Sequence, residues 1–564
     1  MLHGKTRVQA VTLSQHLLKF LPTPLLLREE ISLDSEPNNS YNNMEPELTS
    51  NPSPAPGNSP LLIDEPYQIP KLFQIEEILH NIFDHFSPPV SSSSDVVLIE
   101  GRYKAPVDKS TLLSAVLTCH AFREPALDAL WRTLDSFLPF CTLLPILTAG
   151  EESRKIVGDL IRFDISSLLR NYQSRVQTLI WSTNKEACSG HYFMLSALGP
   201  EFLPNLRTLI IPNLSYELET TLLYALGSSM IQTIDIASTP PFFQGTWNPD
   251  LLVDALVTAL CYRSRNSMQN ITVPYASVPL TVLSLPSLKS VRLTHGTTST
   301  SMIKDLSSLS NLKRVEFTLK TAPELELPFS SIEEVHLTGF TPVIYHFLNS
   351  CNSTRLRALS LRFSLSRPRP RNAGSGYVGN STIQRLLLIL QEKWGNTLTS
   401  LDIAGHPDGP FDALTFEELG KLPLTSLRIS FAGYGLPVSL TLTTIMSHFP
   451  EIQCLHLPTY PTNSGARLSE LCQIAQSHQN LRELTVLLNT EQTDTESPVL
   501  QNKLHTLHVY DSPVSDGWYV AEQLHRTFPN LKRIIPQAGC QDEVKWREVE
   551  RMLQFARRIR CLSE

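Results

Sequence analysis

Apolar residues recur at the first, fourth and sixth places of a short unit along most of the chain. The units begin at Val176, Leu206, Ile231, Met268, Leu288, Leu312, Ile332, Leu356, Leu398, Leu424, Ile452, Leu481, Leu504 and Leu531, the last with Pro536 in its sixth place. Several share a lead-in of an apolar residue followed by Pro or Ser, as in "LPNLRTL", "LPSLKSV", "LSNLKRV", "FSSIEEV", "FPEIQCL" and "FPNLKRI". Most starts lie 20 to 30 residues apart, and two intervals stretch to 37 and 42. Each unit predicts a short strand, because alternating places along a strand face opposite sides. The intervals hold helical patterns in "ELETTLLYALGSS", "LLVDALVTALCYR", "RLSELCQIAQSH" and "GWYVAEQLHRTF". Strands that alternate with helices predict a parallel sheet inside and helices outside, an α/β array in which stacked neighbours share a core that no unit encloses alone.

The period resembles that of leucine-rich repeats, although the asparagine expected late in that consensus is mostly missing, so the array is irregular and leucine-rich-repeat-like. The final pattern, "VKWREVERMLQFARRIR", sets Val544, Trp546, Val549, Met552, Leu553 and Phe555 among charges and predicts a helix that caps the last repeat.

Ahead of the array the rhythm is helical. Ile75, Ile78, Leu79, Ile82, Phe83 and Phe86 make one face of a first helix. Pro88, Pro89 and four serines then predict a surface loop. Leu112, Leu113, Val116 and Leu117 make a second stripe, which Pro125 is expected to end while opening a third helix carrying Leu127, Leu130, Trp131 and Leu134. Three short helices over residues 70–134 form a core too small to stand easily alone. Residues 1–60 are expected to be a mobile leader and linker: 18 of the 29 residues from 32 to 60 are Ser, Pro or Asn. The first 28 residues hold Lys5, Arg7, Lys19 and Arg28 without an acid, a composition shared with transit peptides, with a disordered leader or a start at Met44 as alternatives. The predicted division is thus 1–60 leader, 61–150 helical module and 151–564 solenoid with its helical cap.

The helical module resembles the F-box, most closely its fungal variant, through "EILHNIF" (77–83), "LLSAVLTCHAF" (112–122) and "LWRTL" (130–134). Gln74 and Ile75 stand where that family often has Leu-Pro, and the 88–110 loop is longer than usual. The resemblance implies a three-helix fold that docks a Skp-type adaptor and, through it, a cullin ubiquitin ligase. The adaptor would then be met by Ile78, Leu79, Ile82, Phe83, Leu112, Leu113, Val116 and Phe122. In that reading the chain is the substrate-recognition subunit and catalyses nothing itself. The alternative is a repeat scaffold for protein interaction with no ligase role.

Strand geometry names the other candidate surface. Places one, four and six point to the core, so places three and five project from the strand. Along the later repeats these hold Arg292, Arg314, Glu316, Glu334, His336, Asp402, Arg428, His456, Glu483 and His508, the predicted surface for a protein substrate.

Composition narrows the function classes. The 564 residues are 41% hydrophobic and 18% charged, enough apolar surface for a largely folded chain of more than one module. A net charge of -7 argues against a general binder of nucleic acid or anionic membrane unless a local basic patch compensates, and Arg367, Arg369 and Arg371 form one small cluster. No uncharged apolar run reaches the roughly 18 to 20 residues a membrane helix needs. Nine scattered cysteines without paired spacing read as reduced thiols of the cytosol or nucleus rather than zinc ligands. "GSGYVG" (374–379) fits a dinucleotide-binding pattern by letter, but the preceding strand ends some ten residues earlier, so an inserted loop is the better account. With no hydrolase elbow, P-loop or H-E-x-x-H, no cofactor, metal or catalytic residue is expected.

Overall fold

The computed structural model describes residues 76–90, 92–99, 102–135, 139–140, 170–182, 202–213, 228–237, 249–274, 280–294, 298–323, 326–364, 382–405, 411–430, 440–458, 465–490 and 502–563. The leader, the glycine-rich 374–379 stretch, Arg367, Arg369 and Arg371, and most of "ELETTLLYALGSS" lie outside them. The chain divides into two compact units. Of the described residues, 76–86, 108–130, 139–140 and 170–171 belong to the first, and 87–107, 131–135 and 172 onward to the second.

In the first unit, α1 spans Glu76–Asp84, α2 Lys109–Thr118 and α3 His120–Arg132. Asp108 caps α2, its carboxylate accepting from Thr111 N at 3.1 Å, and that hydrogen bond leads the causes that hold its pKa below the usual range. Phe83 of α1 meets the edge of Phe122 of α3 with ring centres 5.7 Å apart. His80 of α1 lies 3.2 Å from Asp128 of α3. Burial works against a charged His80 ring, but the Glu76 carbonyl and Asp128 outweigh it and raise its pKa.

Two details differ from the helical pattern. The break between α2 and α3 falls at Cys119, which is extended, and Pro125 lies inside α3 rather than at its start. There the proline cannot donate to the Ala121 carbonyl four residues back, and its ring crowds that carbonyl. The end of "LWRTL" is no longer helix: Thr133–Leu134 is a strand.

That strand opens the second unit's main sheet. Among the described residues the sheet has fifteen strands in chain order, all parallel, from Thr133–Leu134 to Arg533–Pro536. Each of the fourteen sequence units supplies one strand, and places one, four and six are core: Leu312, Val315 and Phe317, for example, are fully buried. Helices such as Pro249–Arg263, Thr341–Ser350, Thr382–Trp394, Leu468–Ser477 and Gly517–Thr527 return the chain outside the sheet. The unit is an α/β solenoid.

The lead-in residues hold the repeats in register. The residue just before the unit donates its side chain to a carbonyl of the preceding repeat: Asn205 to Ser174 at 2.7 Å, Ser287 to Asn266, Asn311 to Pro286 and Ser331 to Leu312 at 2.8 Å, and Asn530 to Asn502 at 2.7 Å. These short polar groups give exposed or half-buried backbone carbonyls a partner and tie each repeat to the one before it. Within the strands, each second-place carbonyl accepts two N–H groups from the next repeat, as Gln177 does from Arg207 at 2.8 Å and Thr208 at 3.0 Å.

At the C-terminus, helix Glu543–Ser563 buries Trp546, Val549 and Leu553, and Trp546 donates Nε1–H to the Ser512 carbonyl at 2.8 Å. Val544 and Phe555, expected on its packed stripe, face solvent because they fall off the arc defined by those three.

The presumed surface loop between α1 and α2 also has structure. Strands Val97–Ile99 and Arg102–Lys104 form an antiparallel hairpin after a short 3₁₀ turn at Ser93–Asp95. Val90 packs with Ile180 and Ile210 of the first repeats, and Val96 and Ala105 pack against them. The prolines and serines that signal a loop only frame this insertion.

Candidate interaction face

Strand register assembles the projecting residues into rows. Fifth places follow one another across the ladder in the order Asp235, Thr272, Arg292, Glu316, His336, Ser360, Asp402, Arg428, His456, Thr485 and His508. Third places run beside them, Arg314 pairing with Glu334 and Cys454 with Glu483. All the residues predicted for this face thus lie on two adjoining rows of one sheet surface, although residues 292 and 508 are far apart in sequence.

Cross-strand charges compensate one another. Arg292 meets Glu316 at 2.6 Å. Arg314 approaches Glu334 at 3.5 Å and His336 at 3.4 Å, while His336 lies 2.7 Å from Glu334. The hydrogen bond from His336 is the main cause that holds the Glu334 carboxyl below its ordinary pKa. Further along, Glu483 takes His456 at 3.3 Å and His508 at 3.0 Å.

His456 departs from the expectation of a displayed side chain, since it is only 9% exposed. Burial first, and Arg428 second, push its pKa down to about 4 against the opposing pull of Glu483. A neutral ring fits its partners: Nδ1 accepts the Thr485 hydroxyl at 2.5 Å, and Nε2–H donates to Glu483.

The middle of the row is less complete. Ser360 donates to Asp402 Oδ2 at 3.1 Å, but Asp402 Oδ1 is buried without a hydrogen-bond partner. Its neighbour Arg428 is exposed and, among the described residues, makes no side-chain hydrogen bond or ion pair. The buried oxygen has no open surface, so the exposed guanidinium is what this stretch offers, and it suits a carboxylate or carbonyl of a ligand.

Sequence reasoning does not mark Ser360, Thr485 or Tyr510. Tyr510 follows the row at a register shift, with φ 46°, a left-handed conformation uncommon for a side chain of its size. Its hydroxyl donates to the Leu457 carbonyl at 3.0 Å, and burial raises its pKa. Only the strand position of these residues could have drawn attention to them.

The apolar candidates of the first unit separate by exposure. Leu79, Phe83 and Leu112 are buried and have little surface to offer a partner, because they fill the small core. Ile78, Leu113, Val116 and Phe122 are half-buried, whereas Ile82 is 38% and Leu117 52% exposed.

Among the described residues no group of three or more His, Cys, Asp or Glu side chains is placed to hold a metal ion, and no helix is long and apolar enough to cross a membrane. Burial pushes the Cys261 thiol up to about 12, which leaves it inert as a nucleophile.

No protein-family model and no curated protein matches the chain. Among solved structures it is similar to a chain from the Toll–Spatzle complex of Drosophila, at 15% identity over 64% of this chain and 51% of that one, with a TM-score of 0.26. The match thus spans about half of that chain. It is also similar to an internalin from Listeria monocytogenes, at 14% identity over 54% and 81% with a TM-score of 0.26. A leucine-rich-repeat protein of Leptospira interrogans gives 14% identity over 64% and 73% with a TM-score of 0.23. The ladder of fifteen parallel strands, with the repeated apolar unit that builds it, itself makes this chain an irregular, leucine-rich-repeat-like α/β solenoid.

Proposed function

We propose that the chain is a non-catalytic protein-binding scaffold of the cytosol or nucleus that recognises its ligand on the polar strand face of the later repeats. The observation that carries this reading is the exposed Arg428, which makes no side-chain hydrogen bond or ion pair among the described residues, on a face where Arg292 pairs with Glu316, His336 with Glu334 and His508 with Glu483. The surrounding pairs hold the surface rigid, so a ligand pays little to order it. The test is proximity labelling in cells, followed by binding of the captured protein to a variant carrying Arg314→Glu, Arg428→Glu and Glu483→Lys. Binding should be lost with the fold retained. Undiminished binding, together with loss on changing the outer helices, would move recognition off this face.

A finer reading is favoured by the exposed Ile82 and Leu117. In it the first unit, through its resemblance to the F-box, docks a Skp-type adaptor and makes the scaffold a substrate-recognition subunit of a cullin ubiquitin ligase. Two such side chains buried at an interface are worth roughly 3 to 6 kcal/mol before association costs. The intact protein should therefore capture the adaptor in a pull-down, and Ile82→Asp with Leu113→Asn should abolish capture. No capture by the folded chain leaves the scaffold without a ligase role.

A further inference from the structure

The second place of each unit lies on neither row of the strand face. Its N–H donates to the second-place carbonyl of the preceding repeat, from Gln177 on Arg132 at 2.9 Å to Lys532 on His505 at 2.8 Å. Fifteen such positions therefore follow one another along one edge of the sheet, about 4.8 Å apart. Seven are Arg or Lys and one, Glu333, is acidic, in a chain whose net charge is -7. Since neighbouring members of this rim stand 20 to 42 residues apart in most of the sequence, no basic run betrays it.

The charge is densest and least compensated at the C-terminal end. Arg482, His505 and Lys532 are consecutive on the rim, and Lys503 stands beside them with Nζ 3.0 Å from Asn480 Oδ1. Arg482, Lys503 and Lys532 are exposed. Burial, then Lys532 and Arg482, lowers the His505 pKa, as expected for a ring set between two cations. Next to Lys503 opens a basin of about 550 Å³ lined mainly by amides. The Asn502 and Asn530 amides there donate to carbonyls of the fold, while the exposed Gln476 and Gln479 side chains make no hydrogen bond among the described residues.

We propose that this end of the rim binds an acidic segment of a partner polypeptide, with carboxylates on Arg482, Lys503 and Lys532 and peptide groups on the amides of Gln476 and Gln479. Three cations, one of which lines the basin with the glutamine amides, offer charge and hydrogen bonds on the scale of a few residues of chain. A nucleic acid suits the place less well. The basin's lining holds no aromatic ring and the rim cluster has only the half-buried imidazole of His505 on which a base could stack, while the chain as a whole carries a net charge of -7. The inference stands apart from the strand-face reading, because its residues leave Arg314, Arg428 and Glu483 untouched.

The test uses the full chain and a fluorescent oligoglutamate peptide of about ten residues, followed by anisotropy at low and physiological salt. The wild type should bind, and Arg482→Glu with Lys532→Glu should weaken binding about tenfold or more without shifting the melting temperature. Lys304→Glu, on the exposed side of helix Thr300–Ser307, should leave binding unchanged. No binding by the wild type, or equal loss in the Lys304 variant, would overturn the proposal. Tighter binding of an oligothymidylate of the same length would overturn the choice of polypeptide.

Discussion

The two ends of the strand face share one backbone ladder and differ in what the fifth place carries. In the first repeats it is Ile180 and Ile210, and the chain's own insertion, residues 87–107, covers them with Val90, Val96 and Ala105. In the later repeats it is Arg292, Glu316, His336, Asp402, Arg428 and His456, which pair across strands or remain open. The fold accepts either solution, because the core is already complete beneath the sheet. An apolar fifth place goes with a permanent cover that is part of the chain, and a polar one leaves the surface stable when uncovered.

The largest effect expected of this comparison is at the covered end. Ile210→Ala removes buried methyl groups from both the sheet and its cover, and should cost about 2 to 4 kcal/mol of stability in chemical denaturation. A change below about 0.5 kcal/mol would mean that the hairpin does not seal this surface.

A smaller effect is expected with pH. An unfolded histidine titrates near 6.5, whereas His456 in the fold titrates at about 4. Between those values the unfolded chain binds a proton that the native chain refuses, so this group lowers stability as pH falls from about 6.5 to about 4. His456→Gln should make the melting temperature less sensitive to acid across that window. An unchanged acid slope would place the ring in solvent.

The smallest effect belongs to the surface pairs. Glu316→Ala, which removes the partner of Arg292, should change stability by no more than about 1 kcal/mol, and less at high salt. A loss as large as that of Ile210→Ala would erase the distinction between the two ends.

The repeat units were legible because their evidence is local: three apolar places and a polar lead-in are enough to start a strand. Their register made the two rows of the face legible as well. Thr133–Leu134 was hidden because two residues cannot show a period, and Leu134 also fits the helical spacing of Leu130. The hairpin at 97–104 was hidden by the prolines and serines before it. Pairings such as Glu483 with His456 and His508 depend on side-chain reach across strands, and the basic rim depends on which repeats become neighbours. Both are properties of the stack rather than of any segment.

The second-place carbonyls, each holding two N–H groups of the next repeat, give the array a mechanical character. These bonds point from strand to strand, so tension applied across the first and last strands would load them along their length and in series. The weakest junction would open first, without shearing the others. Such an array should give way one repeat at a time under modest force, and each released repeat would lengthen the tether while the remaining ladder kept its register.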